Sequence, residues 1–457
     1  MIVAVVGLRP LLNERNYAAY ATIMTPLIVL LMDLGRTPEL ATIGYRLIDT
    51  VIGCCSRSSL RWCRGGVMWP DHAIWWQIYP LGFTGAEPTA VPGVVHRLPQ
   101  LENWLEYAIN LGCSGLLLGP VFASETHGYD TIDHFRIDPR LGDDADFDRL
   151  IEAAHARGLR IALDGVFNHV ARSFTHPEWF RGDDTFEGHE HLVALDHGNP
   201  EVASYVGDVV RFWNERGVDA WRLDAAYAVP PEFWRSVLPR DRDVWYFGEV
   251  IHGDYAAYVE KSGLDSVTQY ELWKAIWSSL NDRNFFELSY ALGRHNALLD
   301  TFVPQTFVGN HDVTRLATRL EDERQVGHAL AILFTVGGVP SVYSGDEQAF
   351  RGVKQERAGG DDAIRPAFPS GPGELAEYGW PTYRVHQELI GVRRRHPWLT
   401  RARTTVEHLT NETIALRSTH GDEWVLLLLN ISDQDQQFPL ADTPVVAANG
   451  WKLLTSS

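Results

Sequence analysis

Acidic side chains end three apolar stretches of the sequence, at positions where an unused charge would be costly to bury. Asp224 follows "GVDAWRL", Glu249 follows "VWYFG", and Asp312 follows "TFVPQTFVGNH". An ionised carboxylate is buried in a protein only where it is paired or used, because its transfer out of water is strongly unfavourable. A cap or a brace would explain one such residue alone, but three together indicate a catalytic centre built from carboxylates.

Two of these carboxylates fit the needs of a retaining glycosidase, which uses one as nucleophile and one as acid, about 5 to 5.5 Å apart. Asp224 and Glu249 end consecutive apolar runs, so we predict them on neighbouring strands. Arg222 lies two residues before Asp224 and shares its strand face, so its charge is expected to keep Asp224 ionised as the nucleophile. Glu249 ends a hydrophobic run and faces another carboxylate, so it is expected to hold its proton near neutral pH as the acid/base.

Further polar residues end other apolar runs and complete the candidate site. The run "GLRIALDGVFNH" closes with Asp164, Asn168 and His169, and His311 closes another. Asp164 lies deeper in its run than His169, and we predict that it braces Arg222 or the loop instead of reacting. A metal-dependent hydrolase with Asp164, His169 and His311 as ligands is an alternative. It is disfavoured because Arg222 would then lie beside the cation.

Eight apolar, strand-like runs must position these residues, and they alternate with amphipathic helical stretches. The runs are "IWWQIYPLGF", "GCSGLLLGPVF", "GLRIALDGVFNH", "GVDAWRLDAA", "VWYFGEVI", "LDSVTQYEL", "TFVPQTFVGNHD" and "FTVGGVPSVYSGDE". Helical stretches such as "DADFDRLIEAAHARG" carry apolar residues at three- and four-residue spacing and close with glycine. Eight strands alternating with helices predict an α/β fold, a (β/α)8 TIM barrel, whose chemistry lies at the carboxyl ends of the strands.

Changes of pattern divide the chain into regions. The barrel is predicted over residues 68–399, with a short insertion after the third strand at residues 170–200. From residue 400 the short strands "TIALRST" and "EWVLLLLNIS" predict a small antiparallel β domain that extends to residue 457.

Composition and charge narrow the class of ligand. With 45% hydrophobic residues the chain can bury a sizeable core, and its formal net charge of −19 argues against a nucleic acid or an anionic membrane as partner. A neutral small molecule or oligosaccharide fits better. Sixteen tryptophans suit stacking on sugar faces, although composition alone does not separate that role from core packing.

Residues 1–67 differ in composition from the rest. They carry a net charge of +3 against −22 for the remainder, and they hold three of the four cysteines. Their apolar stretch "ATIMTPLIVLLMDLG" is short for a bilayer span and lacks a clean signal-peptide cleavage site. Met68 is a candidate native start, which would place residues 1–67 outside the native protein; a divergent N-terminal domain is the alternative. The body would keep only Cys113, which favours a reducing, cytoplasmic location.

The motifs "DGVFNH", "GVDAWRLDAA", "FGEV" and "FVGNHD" resemble, in this order, the four main conserved regions of the α-amylase superfamily, glycoside hydrolase family 13. "HGYDTIDHFRIDPRLG" and "GVPSVYSGDE" resemble further landmarks of that family. The resemblance runs from about Ile74 to the C-terminal strands. It implies that Asp224 is the nucleophile, Glu249 the acid/base and Asp312 a third carboxylate that grips sugar hydroxyls. It also implies that a further four residues line the glucose subsite: Tyr129, His169, Arg222 and His311.

Departures from the family pattern bear on metal and substrate. "DAAYAV" replaces a Lys-His pair associated with starch binding and calcium, and Ala194 stands where an aspartate is common. A typical starch endo-amylase is therefore disfavoured. Asn168 is compatible with calcium through its carbonyl oxygen, but other hard oxygen ligands are not evident nearby, so no cofactor and no metal site are predicted. The insertion is short, which predicts an open cleft that could admit branched or bulky glucans.

The sequence thus predicts a retaining glycoside hydrolase that cleaves α-glucosidic bonds, α-1,4 before α-1,6, of malto-oligosaccharides or related α-glucosides. The alternative within the family is a transglycosylase or isomerising synthase, such as a trehalose-forming enzyme, because both share the same three carboxylates. A non-catalytic binding homologue is disfavoured because no carboxylate is lost. The sequence makes no prediction of oligomeric state.

Overall fold

The computed structural model describes residues 69–240, 243–357 and 359–456. The described residues fall in one compact unit, Met68–Ser457. The expectations for residues 1–67 lie outside the described residues.

Strands and helices alternate through most of this unit. In chain order the strands are β1 (Trp75–Ile78), β2 (Gly115–Leu118), β3 (Phe122–Ser124), β4 (Thr131–Ile137), β5 (Arg160–Gly165), β6 (His169–Ala171), β7 (Phe180–Thr185), β8 (Leu192–Leu195), β9 (Ala220–Leu223), β10 (Trp245–Gly248), β11 (Ser266–Val267), β12 (Gln305–Thr306), β13 (Val339–Tyr343), β14 (Arg403–Leu409), β15 (Thr413–His420), β16 (Glu423–Asn430) and β17 (Gly450–Thr455). The helices are α1 (Pro80–Phe83), α2 (Leu98–Glu102), α3 (Leu105–Leu111), α4 (Asp144–Ala156), α5 (Pro200–Glu215), α6 (Pro231–Val237), α7 (Tyr255–Ser262), α8 (Tyr270–Asn281), α9 (Phe286–Leu298), α10 (Leu316–Arg319), α11 (Val326–Thr335) and α12 (Trp380–Arg395).

Eight strands form one parallel sheet that curves into a barrel. Their order is β11, β10, β9, β5, β2, β1, β13 and β12. The two ends of this order meet at a parallel bridge between Thr268 and Gln305, next to the hydrogen bond from Gln269 N–H to the Gln305 carbonyl oxygen (2.9 Å). The predicted (β/α)8 barrel is confirmed, and each of its strands lies in one of the eight predicted runs.

Alternation along the barrel strands separates two apolar layers. Trp75 belongs to a cluster inside the barrel, whereas its neighbour Trp76 packs in the larger core between the sheet and the helices. Inside the barrel the indole of Trp75 stacks on that of Trp245, with ring centroids 6.1 Å apart, and Trp245 stacks on Phe247 at 4.6 Å. These rings, with smaller apolar side chains, fill the lower part of the barrel and leave its carboxyl-terminal mouth to polar residues.

Capping signals in the sequence fix the starts of the flanking helices. α4 begins after Asp143, whose side chain accepts a hydrogen bond from Asp146 N–H while the Asp146 carboxylate accepts from Asp143 N–H, a capping box. α5 begins after Asn199, whose side chain accepts from Glu201 N–H (2.9 Å), with Pro200 in the first turn.

Three smaller sheets accompany the barrel in the described residues, and one of them is the antiparallel pair β3 and β4. In the segment that follows β5, the strands β6, β8 and β7 form an antiparallel sheet, which is the predicted short insertion after the third barrel strand. The strands β14 to β17 form the predicted C-terminal antiparallel sheet. Among the helices of the described residues, none combines the length and apolar composition needed to span a bilayer.

Candidate active site

Inward-facing positions at the tops of the barrel strands carry the candidate residues. On β9, Ala220 faces the interior cluster, and the period of two therefore places Arg222 inward and Asp224 at the strand end. On β10, Phe247 faces inward and Glu249 follows the strand. The alternation that builds the apolar layer thus also delivers these polar groups to one mouth.

Arg222 is the hub of the site. Its Nη1 lies 2.7 Å from both carboxylate oxygens of Asp164 and 3.1 Å from Oδ1 of Asp224. Its Nη2 lies 2.8 Å from Oε1 of Glu249 and 3.8 Å from Oδ2 of Asp312. One buried guanidinium therefore gathers four carboxylates, and Asp164 braces Arg222 as predicted.

Glu249 receives two further hydrogen bonds besides that ion pair. The Ala225 N–H donates to its Oε2 (3.0 Å), and the Tyr270 hydroxyl donates to its Oε1 (3.0 Å). Ala225 has φ 44°, in the left-handed region that an alanine rarely adopts, and such strain is characteristic of functional sites. The turn after Asp224 is therefore shaped so that its first N–H meets the neighbouring carboxyl group.

Arg222 acts on the pKa of Asp224 in the expected direction, but other effects outweigh it, so the expectation that Arg222 keeps Asp224 ionised is wrong. Burial raises the pKa of Asp224 well above its ordinary value, and the carboxylates of Glu249, Asp164 and Asp312 add to the rise, while Arg222 only opposes it. One guanidinium does not offset burial together with three neighbouring carboxylates. Asp224 therefore owes its candidate role as nucleophile to its position at the end of its strand.

Asp312 has a different electrostatic environment. Burial acts to raise its pKa, but His311, Arg365 and Arg222 together hold the pKa of the Asp312 carboxyl well below its usual range. His311 Nε2 lies 3.0 Å from Oδ2, and Arg365 Nη2 lies 2.7 Å from Oδ1. The Asp312 side chain is 28% exposed, whereas those of Asp224 and Glu249 are 8% exposed. Asp312 is thus an ionised acceptor at the open side of the mouth.

Aromatic rings and an amide form the wall beside Asp312. The rings of Tyr129 and Tyr79 lie parallel to the His311 imidazole, with centroids 5.5 and 6.4 Å away. The Tyr129 hydroxyl hydrogen-bonds to His311 Nε2 and donates to Asp164 Oδ2 (3.1 Å). Gln77 Nε2 lies 2.9 Å from His311 Nδ1. The structure therefore brings Tyr129 and His311 together with the carboxylates.

His169 lies on β6, the first strand of the insertion. Burial lowers the pKa of His169 to about 3, so its imidazole is neutral across the working range and can donate one hydrogen bond and accept another. Its ring stacks on Phe186 with centroids 4.4 Å apart.

The proposed metal ligands Asp164, His169 and His311 do not form a cation cluster in the part of the chain that the structure describes. There the group of His, Cys, Asp and Glu side chains close enough to share an ion is His96, Asp143 and Asp146. Two of these form the capping box of α4, and Asp146 also accepts from Arg149, so their oxygens are already engaged. Asp164 is held by Arg222, which leaves a cation there facing a positive charge.

Sequence reasoning missed four contributors to the site: Gln77, Tyr79, Tyr270 and Arg365. Gln77 lies inside β1, and Tyr79 directly follows that strand. A polar residue within an apolar run was a usable signal that they belong to the site. Tyr270 and Arg365 had no such signal. Arg365 donates from Nε to the His311 carbonyl oxygen (2.9 Å) and lies over the Tyr79 ring at 4.6 Å, although it comes from an irregular segment more than fifty residues later.

Family models match two parts of the sequence. The model "Alpha amylase, catalytic domain" matches residues 77–191 and 179–370, which contain the barrel strands β2 to β13 and every candidate catalytic residue. A second model, "Fusaric acid resistance protein-like", matches residues 1–56, inside the segment whose composition differs.

Individual proteins similar to this chain include named carbohydrate enzymes. A cyclomaltodextrinase of Geobacillus thermopakistaniensis is 27% identical over 438 residues, covering 84% of this chain and 72% of the relative. An intracellular maltogenic amylase of Bacillus subtilis is 30% identical over 331 residues, covering 61% and 56%. The solved complex of the cyclic α-maltosyl-(1→6)-maltose hydrolase of Arthrobacter globiformis with that cyclic sugar superposes with a TM-score of 0.73 at 26% identity. It covers 85% of this chain and all but 1% of the other.

Proposed function

Because the chain belongs to the α-amylase catalytic-domain family, we propose that it is a retaining glycoside hydrolase in which Asp224 is the nucleophile, Glu249 the acid/base and Asp312 the third carboxylate. The observation that carries the assignment is the contact of Arg222 with both Asp224 and Glu249, one through each terminal nitrogen. A shared guanidinium keeps the two groups side by side, as a double displacement requires.

In the first step Asp224 attacks the anomeric carbon while Glu249 gives its proton to the glycosidic oxygen. The bond to the leaving sugar breaks, and a covalent glycosyl-enzyme forms on Asp224. The chemistry needs the proton on Glu249, and the Tyr270 hydroxyl, a rotor that can accept as well as donate, can adapt to that state.

In the second step Glu249 takes a proton from water, and the hydroxide equivalent attacks the anomeric carbon and releases Asp224. Two inversions return the α configuration. Asp312, ionised beside Arg365, is suited to accept hydrogen bonds from sugar hydroxyls, and these bonds strengthen as the ring distorts. Tyr129, His169, Arg222 and His311 are proposed to line the glucose subsite.

The substrates we propose are malto-oligosaccharides or related α-glucosides, mainly with α-1,4 bonds. The proposal draws on relatives named cyclomaltodextrinase and maltogenic amylase and on the cyclic maltosyl-maltose hydrolase. It also draws on a mouth of neutral aromatic and amide groups around three carboxylates, which suits an uncharged polyol. The net charge of −19 would repel a polyanion.

The test is to follow maltotriose, cyclodextrin, sucrose, trehalose and starch with the enzyme by proton NMR. We expect early release of the α-anomer of glucose or maltose. Early β-anomer would overturn the two-step mechanism. New oligosaccharides without free glucose would move the alternative, a transglycosylase or isomerising synthase, ahead of hydrolysis.

We also propose that the enzyme works without a metal and in the cytoplasm. Support for the first is the engagement of the candidate oxygens by hydrogen bonds, including the Asn168 carbonyl oxygen, which accepts from Leu195 N–H (3.0 Å). Support for the second is Cys113, a free and buried thiol, and the name of the Bacillus subtilis relative. Activity in a fraction prepared from lysed cells, absent from washed cell surfaces and medium, would test the location.

A further inference from the structure

The insertion is short, yet one of its turns reaches two sides of the catalytic mouth. Residues Phe186–Gly188 form a single turn between β7 and β8. At one end the Phe186 ring stacks on His169, which belongs to the proposed glucose subsite. At the other end the Glu187 carboxylate accepts a hydrogen bond of 2.7 Å from the Tyr227 hydroxyl.

Tyr227 belongs to the wall next to the acid/base. It lies three residues after Asp224, and its N–H donates to the backbone carbonyl oxygen of Glu249 (3.2 Å). Its ring lies 6.1 Å from that of His252, in the loop that follows Glu249. The acid/base protonates the oxygen of the departing sugar, so the wall built on its own backbone borders the leaving-group side of the cleft.

The backbone of the turn is held in an unusual conformation. Glu187 has φ 50° and Gly188 has φ 82°, so two successive residues are left-handed. A non-glycine residue in this region is strained and persists where its surroundings enforce the conformation. Here the stacking of Phe186 and the bond of Glu187 hold the turn from both ends.

We propose that the Glu187–Tyr227 bridge determines specificity by limiting how long a chain the leaving-group side accepts. The inference rests on the proposed function. The bridge joins the insertion to the wall beside Glu249. A short leaving portion of one or two sugars therefore fits beneath it, whereas a long, stiff glucan must break it to pass. Glu187 is exposed and Tyr227 is half-buried, so the bridge lies near the surface, and a chain that passes must break its hydrogen bond.

The experiment compares kcat/KM for amylose with that for maltotriose in wild type, Glu187→Ala and Tyr227→Phe. Each variant removes one partner, and Tyr227→Phe keeps the ring. We expect each to raise the amylose-to-maltotriose ratio on the order of tenfold, the value of one hydrogen bond to a charged group. Because a single contact is lost either way, the double variant should raise the ratio no further than one single variant. The matched control is Asp184→Asn, an exposed residue of β7 paired with Arg181, which should leave the ratio unchanged.

The outcomes separate the two proposals. If wild type releases no sugar from maltotriose or amylose, the proposed function fails and the inference falls with it. If wild type is active but both variants keep its ratio, the bridge proposal alone is overturned. A fall in the ratio would also overturn it, because the pair would then bind long chains instead of excluding them. An additive rise in the double variant would contradict action through one contact.

Discussion

The Tyr270 hydroxyl lies 3.0 Å from Oε1 of Glu249 and 3.0 Å from the side-chain nitrogen of Asn310, which donates to it. Burial raises the pKa of Tyr270 well above its ordinary value, with the Glu249 and Asp312 charges adding to the rise, so the phenol stays protonated. Asn310 fills one acceptor site of the hydroxyl and thereby aims its hydrogen at Glu249. Tyr270 is therefore a positioning residue for the acid/base.

Replacing Tyr270 with Phe tests this relationship. In this variant Glu249 loses the hydroxyl donor that orients its carboxyl group. We expect kcat to fall about tenfold while KM changes little, because an acid/base that is poorly oriented acts less well in the transition state. Tyr383→Phe, which loses a bond to the Tyr107 carbonyl oxygen, is the control and should keep kcat near the wild-type value. A kcat near the wild-type value in Tyr270→Phe would limit Tyr270 to a packing role.

The nucleophile and the acid/base can be told apart by chemical rescue. Asp224→Asn and Glu249→Gln should each lower turnover of oligosaccharides by several orders of magnitude with the fold intact. With a 4-nitrophenyl glycoside the first step needs little acid, so Glu249→Gln should still form glycosyl-enzyme, which azide can attack. Asp224→Asn should give no comparable rescue to a β-glycosyl azide. Near wild-type activity in both variants would reject the assignment.

Asp224→Asn should also stabilise the fold. A carboxyl whose pKa is raised by folding contributes stability that is full below its unfolded value, about 3.9, and is lost as pH rises toward the folded value. Asparagine does not ionise and avoids that loss. We expect a melting temperature several degrees above wild type at pH 7 to 8, with the gap closing toward pH 4. Asp208→Asn, an exposed change on α5, serves as control. A lower melting temperature at neutral pH would contradict the direction.

Buried histidines should make the protein sensitive to mild acid. Burial lowers the pKa of His134, His295 and His386 each to about 4. A histidine with a lowered folded pKa gives stability that is complete above its unfolded value, about 6.5, and lost as pH falls toward the folded value. Each could cost roughly 3 kcal/mol across that window. Melting temperatures between pH 7 and 4 should fall steeply, and less steeply in His386→Gln than in the exposed control His420→Gln. Equal slopes would contradict this expectation.

Removing metal ions should change little. We expect dialysis against EDTA to leave kcat and the melting temperature unchanged. The carboxylates beside His96 are those of Asp143 and Asp146, and they already form the capping box of α4. Addition of calcium after dialysis is the control. Loss of activity that calcium alone restores would show a metal site that the proposal omits.

The sequence predicts most of the barrel because the apolar run of a strand and the polar residue that ends it can be read from a few neighbouring residues. Asp224, Glu249 and His311 each end an apolar run, and the topology brings such ends together. The run "LDSVTQYEL" is predicted less well, since only Ser266–Val267 pair as β11 before Gln269 caps α8 by accepting from Leu272 N–H. That early helix start is what carries Tyr270 toward Glu249.

Contacts made by irregular segments lie beyond sequence reasoning. Arg365 reaches Asp312 from a stretch without strand or helix period, and nothing local marks it as part of the mouth. The protonation of Asp224 depends on how many carboxylates surround one guanidinium, which becomes countable only in three dimensions. The pairing of Arg222 with Asp224 was visible in the spacing; the other three carboxylates that share the charge were distant in the chain.

The stacked indoles of Trp75 and Trp245 close the interior of the barrel below the mouth. Molecules then reach the glycosyl-enzyme only through the mouth of the barrel. The departing sugar, the incoming water and any competing sugar acceptor therefore use the same opening in turn. The ratio of hydrolysis to transfer then depends on whether water or a sugar acceptor arrives first after the first product leaves. Access through the opening therefore determines this ratio. Substitutions of residues around the rim of the mouth, more than substitutions of the carboxylates, would change it.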